Sequence, residues 1–319
     1  MSSWKCGFIQ LLFEMDPLVS IIIPNYNHAR YLKQRLDSVF NQTYQNFEVI
    51  FLDDCSTDNS LEIVEKYKRN PHLSQIVVNE TNSGSVFSQW DKGIKLANGE
   101  VIWIAESDDY CEINLLEELV RAYTAKKNVV VAFPQYVYVW PDGQMNKAKE
   151  RSTQYYNGEK FITKWMSMYC VIRNASGVIF SKSAAMNVSN DFKSYKACGD
   201  YLFWTQVAEQ GKVAYVRKNL TYFRQHEFNV TSHSYSTGNE SVESRKVVDY
   251  IDAKYHLSRI QKIKIYAQKV HQYNTVNYID EAARIRSLGA WNIHEKHTVI
   301  GNVFLDVFFK LQRHFGILI

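Results

Sequence analysis

Between Leu18 and Ala105, short apolar runs alternate with segments whose apolar residues recur at helical spacing. "LVSIII" is stopped by Pro24, "FEVIFL" by the polar "DDCSTDNS", and "QIVV" and "VIWIA" follow in turn. These runs are continuous rather than alternating, as expected of strands buried on both faces. The intervening "YLKQRLDSVF", "LEIVEKYKR" and "VFSQWDKGIKLA" carry the pattern of amphipathic helices. Strands separated by helices make βαβ units, so the expected fold is α/β: a mainly parallel sheet with helices on both faces. Thr57 or Asp58 is placed to cap the helix after the second strand, with Glu62 in its first turn.

The rest of the chain has a different texture. From about 128 to 181, β-branched and aromatic residues cluster in "NVVVAFPQYVYVW" and "SGVIFS" around a "PDGQ" turn. That pattern predicts mixed or antiparallel strands, with one helix near 158–169. "GDYLFWTQVAEQGKVAYV" predicts a helix and then a strand leading into "LTYFRQHEFNVT". Beyond about 238 the pattern is helical to the end. The expected division is a leader (1–16), a core domain (17–237, in halves 17–110 and 111–237) and a C-terminal helical region (238–319).

In an open parallel sheet, ligands bind beyond the carboxyl ends of the strands. Those ends here read "PNYN", "DDCSTD", "NETNSGS" and "ESDDY". Neither GxGxxG nor GxxxxGK[ST] is present, so phosphate is not held on a glycine loop. Carboxylates hold phosphate only through a divalent cation. In "VIWIAESDDY" five apolar residues run into Glu106, Asp108 and Asp109. Carboxylates this close raise one another's pKa. A metal ion, a basic side chain or solvent between them relieves the repulsion.

Charge and cysteine usage remove several classes. The net charge of +4 arises entirely beyond residue 239, and the remainder is balanced. So slight an excess does not suit nucleic acid, although it suits an anionic membrane surface. The 5 cysteines are odd in number and scattered without CxxC pairing, as in a reduced, cytosolic protein with no zinc site. No apolar run approaches the roughly 18 residues of a spanning helix. Glu14 and Asp16 stand where a signal peptide would be cleaved, so the leader is not read as one.

"SIIIPNYNHARYLKQRLDSVFNQTYQNFEVIFLDDCSTDNS", "ANGEVIWIAESDDY", "GDYLFW" and "YFRQH" together resemble the inverting family 2 glycosyltransferases of GT-A fold, of the type that builds bacterial cell-surface polysaccharide. The likeness covers roughly residues 17–231. It implies a nucleotide-sugar donor, a UDP-sugar first among them, a saccharide or lipid-linked saccharide acceptor, and Mg2+ or Mn2+ as cofactor. By the same likeness Pro24 and Tyr26 cradle the base, and Asp54 accepts a hydrogen bond from a ring N–H. Asp53 is read as a helix cap. "ESDDY" matches the DxD-type element, with Asp108 and Asp109 as metal ligands that sequence does not separate. Glu106 stands where relatives carry Asp, and its longer reach suits a ribose contact or a supporting role. Lys92 and Arg224 are donor-phosphate candidates, and His226 a metal ligand or diphosphate contact. Asp200 matches the catalytic base, which takes the acceptor proton.

One departure counts against catalysis: the glutamate that precedes this aspartate in the family is Gly199 here. It keeps a second reading open, an inactive nucleotide-sugar-binding or scaffold module. A nucleotidyltransferase would want a glycine- and lysine-rich first loop, which "PNYNHAR" is not. Trp90 and Trp103 read as core, and Trp204 as an acceptor contact. The tail "VIGNVFLDVFFKLQRHFGILI" places Ile300, Val303, Phe304, Val307, Phe308, Leu311 and Phe315 on one helical face. Such a helix packs on the domain or lies on the cytoplasmic leaflet, which gives two expected locations: cytoplasmic, or peripheral on the inner membrane face.

Overall fold

The computed structural model describes residues 16–226 and 230–293. Its first part is β1 (Val19–Asn25), α1 (Ala29–Phe40), β2 (Phe47–Asp53), α2 (Ser60–Glu65), β3 (Leu73–Val78), α3 (Val86–Leu96) and β4 (Val101–Ile104). β5 (Tyr110–Cys111), α4 (Leu115–Thr124), β6 (Val129–Val139), β7 (Met145–Asn146) and β8 (Gln154–Asn157) follow. Next come α5 (Gly158–Phe161), which continues as a π-helical turn over Ile162–Met166, then β9 (Val178–Ser181), α6 (Lys182–Met186), α7 (Gly199–Ala208) and β10 (Lys212–Arg224). The last helices are α8 (Val230–Ser236), α9 (Asn239–Tyr255), α10 (Arg259–Thr275) and α11 (Glu281–Trp291).

One sheet runs through the molecule in the order β3-β2-β1-β4-β9-β6-β10-β5, with β7 beside β6 and β8 beside β10. β1 is parallel to both β2 and β4, and β2 to β3, as the βαβ alternation predicts. β9 then enters antiparallel between β4 and β6, so the second half is mixed. The register Asn25↔Asp53 brings the ends of β1 and β2 level, which opens their following loops to one side.

Strand periodicity explains the two cores. Val19, Ile21 and Ile23 of β1 pack with α1, α2 and α4 on one face, while Ile22 packs with α3 and α7 on the other. Burying each such side chain contributes about 1.5–3 kcal/mol. α3 can lie this close to β1 because a side chain at Gly93 would come within 2.4 Å of Ile22. The C-terminal helices join the second core, where Val247, Ile251, Ile265 and Trp291 share a cluster with Phe203 and Trp204.

The start of α2 differs from expectation. Its N-cap is Asn59, and Thr57 instead donates its N–H to Asn27 Oδ1. Asp58 still serves two helices: one oxygen accepts Ser60 N–H (3.0 Å), the other Ala29 N–H at the start of α1 (2.8 Å). Cys55, Cys111, Cys170 and Cys198 are free thiols. Among the described residues no helix is long and apolar enough to cross a membrane. The leader through residue 15, with Cys6, and the amphipathic tail from 294 lie outside the described residues.

Candidate active site at the carboxyl ends of the strands

The first two strand ends are tied together by side chains. Asp53 is buried; its carboxylate accepts from Asn25 Nδ2 (2.8 Å) and Ser56 N–H (2.8 Å). It caps no helix but closes the turn in which Cys55 takes a positive φ of 64°. Asp54, 6% exposed, gathers the next loop. Its Oδ1 accepts from Asn79 Nδ2, Ser83 N–H and Gln89 Nε2 at 2.6–2.9 Å, and its Oδ2 from Ser83 Oγ at 2.7 Å. Lys92 donates to Asn79 Oδ1 (2.5 Å), so it braces this loop and is not turned toward the acidic element. Pro24 is buried in β1, and Tyr26, just past the carboxyl end of that strand, is 46% exposed, a ring open to solvent.

At the end of β4 the three carboxyls separate into different environments. Beneath them lies Arg35 of α1, fully buried, whose Nε donates to the Glu106 carbonyl at 2.8 Å. Glu106 accepts from Trp90 Nε1 at 2.8 Å, and burial together with the Asp108 charge pushes its carboxyl up to about 8. Asp109 is buried too: Oδ1 accepts the Arg224 N–H (2.9 Å) and Oδ2 the Ser176 hydroxyl (2.6 Å). Burial and the Asp108 charge push Asp109 up to about 7. Asp108 moves the other way. Burial raises it, but the hydrogen bond from His226 and the nearby imidazoles outweigh that and hold it below the usual carboxylate range. Repulsion in "ESDD" is therefore relieved in the protein itself by protonation, by Arg35 and by imidazole.

His226 Nε2 lies 3.1 Å from Asp108 Oδ2, and its Nδ1 is buried with no hydrogen-bond partner. His28, just after β1, completes the group: ligand atoms of His28, Asp108 and His226 all lie within 4.8 Å of one another. His28 Nδ1 contacts Ser107 Oγ at 2.8 Å. Burial lowers its pKa despite the Asp108 charge, so at neutral pH the ring is uncharged. Arg224 flanks the cluster. Its Nε donates to the Asp108 carbonyl (2.8 Å), and its guanidinium lies 4.6 Å from the Tyr31 ring centroid and 5.1 Å from that of Tyr110.

Asp200 opens α7 in its first turn and accepts the Tyr201 N–H at 2.7 Å. Burial pushes its carboxyl up to about 7, with Glu243 adding to the rise. Glu243, from α9, occupies the start of the same helix. Its carboxylate accepts the N–H groups of Lys196, Ala197 and Cys198 at 2.8–2.9 Å. It satisfies the N–H of the N-cap residue Cys198 and of the two residues before it, and a negative charge there complements the helix dipole. Position 199 has no room for a side chain: a Cβ would come within 2.5 Å of both the Phe192 carbonyl and the Phe87 ring. The carboxylate absent before Asp200 in sequence is thus matched by one arriving from α9. Trp204, by contrast, is 0% exposed among Trp90, Phe180 and Phe203, so it belongs to the core and meets no acceptor.

Of the residues singled out in the sequence, Asp108, His226, Arg224 and Glu106 converge on one site. Asp109 faces away into Ser176 and Arg224. Sequence reasoning missed His28, Arg35 and Glu243. The signal for His28 stood in "PNYNHAR", a histidine at a strand's carboxyl end. Arg35 occupies an apolar-face position of α1, and nothing local marks Glu243.

The sequence profile described as Glycosyl transferase family 2 matches residues 20–186. "Glycosyltransferase GlyG" of Streptococcus pneumoniae is 36% identical over 40% of this chain, a match that spans 42% of that relative's length. An uncharacterised glycosyltransferase of Haemophilus influenzae is 27% identical over 94% of this chain and 88% of its own. Among solved structures, Staphylococcus aureus TarS in complex with UDP-GlcNAc superposes with a TM-score of 0.66 at 20% identity, covering 85% of this chain and 79% of that one. The fold is accordingly of the GT-A type.

Proposed function

Because the chain belongs to glycosyl transferase family 2, we propose that it moves a sugar from a nucleotide-sugar donor to a saccharide or lipid-linked saccharide, with inversion at the anomeric carbon. The observation that carries this reading is the convergence of His28, Asp108 and His226 at the ligand side of the sheet. The donor set fits a divalent cation: a neutral imidazole, an ionised carboxylate and a second imidazole with an unpartnered buried nitrogen. Two nitrogens and one oxygen suit Mn2+ better than the harder Mg2+. When bound, such an ion supplies Lewis-acid neutralisation of the leaving diphosphate. Arg224, oriented by Tyr31 and Tyr110, adds a fixed positive charge beside it.

The remaining roles fall to this chain's own groups. Asp200 takes the proton of the acceptor hydroxyl, and a carboxyl poised near 7 suits a base working at neutral pH. Asp54 organises the loop over the nucleoside, and its Oδ2, with a single donor, retains a lone pair for a ring N–H. Tyr26 offers the exposed ring against which a base packs. Lys92 acts on this loop through Asn79. Glu106, protonated near neutrality, donates a hydrogen bond to the donor's ribose. UDP as the carrier is supported by the UDP-GlcNAc bound to TarS. With Gly199 explained by packing, the intact Asp108 and Asp200 favour an enzyme over an inactive binding module.

The test is a thermal-shift panel of UDP-, GDP- and dTDP-sugars with Mn2+ or EDTA, combined with assay of released nucleoside diphosphate. Stabilisation by one nucleotide sugar that needs the metal, with release lost in Asp200→Asn, is the expected result. Stabilisation indifferent to EDTA, with no release from any donor, would overturn the proposal.

A further inference from the structure

Beside β6 lies an open cavity of about 160 Å3 that the donor site does not use. Tyr136, Tyr138, Trp165 and Tyr169 supply aromatic walls, and Gln135 and Arg173 supply the polar ones. Arg173 is solvent-accessible and has no carboxylate partner among the described residues. Its guanidinium lies 5.0 Å from the Tyr169 ring centroid and 3.5 Å from the Tyr138 hydroxyl, with Tyr136 as a further neighbour. Phenols do not neutralise it, so among the described residues the guanidinium has no matching anion. Gln135, 5% exposed, leaves its Oε1 without a hydrogen-bond partner.

These features specify a ligand. Aromatic faces pack against the apolar faces of sugar rings, a lone buried amide oxygen asks for a hydroxyl donor, and an arginine asks for a carboxylate or phosphate in a forked geometry. The wall of the cavity is also tied to α7, the helix that carries Asp200. The Cys170 thiol lies within reach of the charges of both Arg173 and Asp200, and Tyr201, next to Asp200, donates its hydroxyl to Met166 in the segment that carries Trp165 and Tyr169.

We infer that this cavity is an acceptor subsite for an acidic saccharide, whose carboxylate or phosphate pairs with Arg173 while a hydroxyl meets Gln135. The inference rests on the glycosyltransferase reading for the word acceptor, but binding itself requires no donor and no turnover. Specificity arises because a neutral sugar leaves the guanidinium unmatched, whereas an acidic one pairs it bidentately.

The experiment is calorimetric titration of the full chain with three oligosaccharide probes of equal length. One ends in a uronic acid, one carries a polyol phosphate, and one is the neutral counterpart. An acidic probe is expected to bind about tenfold tighter than the neutral one, and Arg173→Gln to abolish that preference. Arg173→Lys, which keeps the charge and loses the fork, is expected to retain part of it, and it stands in if the glutamine variant does not fold. Whichever acidic probe binds tighter identifies the source of the anion. Equal binding of acidic and neutral probes, or a preference that survives Arg173→Gln, would overturn the subsite. Acidic binding without any nucleotide release would leave the subsite standing and remove the transferase reading alone.

Discussion

Replacing Glu243 by alanine tests whether a C-terminal helix supports Asp200, the proposed base. The carboxylate holds three backbone N–H groups at 2.8–2.9 Å. Water replaces it readily at Lys196, which is exposed, but not at the half-buried Ala197 or the buried Cys198. Each hydrogen bond to a charged group contributes about 1.5–3 kcal/mol. Two unreplaced bonds then give a loss of about 3 kcal/mol. At about 2.1 cal/mol/K of unfolding entropy per residue, each kcal/mol lowers the melting temperature of a 319-residue chain by roughly 1.5 °C, so calorimetry should show a fall of roughly 4 °C or more. The second readout is catalytic. Glu243 raises the Asp200 pKa, and a base must be ionised to act, so activity declines as pH falls through about 7. Glu243→Gln removes that like charge and should move the acid limb to lower pH. A melting temperature within about 1 °C of the parent for the alanine variant, or an acid limb that moves upward for the glutamine variant, refutes the reasoning.

Three further outcomes follow from the same geometry. Asp108→Asn should abolish stabilisation by Mn2+ in thermal shift, whereas Asp109→Ala should keep it and cost about 2 kcal/mol in urea unfolding, because the Arg224 N–H and Ser176 lose their partner; the reverse pattern would exchange their roles. Asp54→Ala strips four donors of their acceptor and should lower stability by about 3 kcal/mol while exposing the loop at 79–85 to proteolysis, and an unchanged cleavage rate would contradict the bracing role. Glu106, Asp109 and Asp200 are raised from ordinary values of 4.5, 3.8 and 3.8 to about 8, 7 and 7. The folded chain therefore holds protons that the unfolded chain has released, and stability should fall as pH rises from about 4 to about 8. Melting temperatures that climb between pH 5 and pH 8 without added metal would contradict those environments.

Much of this protein is legible from local pattern alone. Continuous apolar runs separated by amphipathic helices specify strands buried on both faces, because period and burial are properties of neighbouring residues. From that follow the parallel half of the sheet, its ligand side and the loops that carry the carboxylates. Asp108, His226, Arg224 and Asp200 were named from sequence on that basis and on the family resemblance.

What local pattern does not contain is the direction and charge of each side chain. Asp108 and Asp109 are adjacent, yet one meets His226, 118 residues away, and the other meets Ser176 and the Arg224 backbone, 67 and 115 residues away. His28 joins them only because the ends of β1 and β4 lie side by side in the sheet. Gly199 reads in sequence as a lost catalytic support; packing against Phe87 and Phe192 explains it, and Glu243 brings a carboxylate to the same helix start from α9. Protonation is equally non-local, since it depends on how much of the chain surrounds a carboxyl. Sequence by itself determined the architecture and where its acids cluster. Only tertiary structure decided which acid is ionised, which imidazoles face it and which arginine lines the cavity beside β6, because those depend on contacts between residues far apart in the chain.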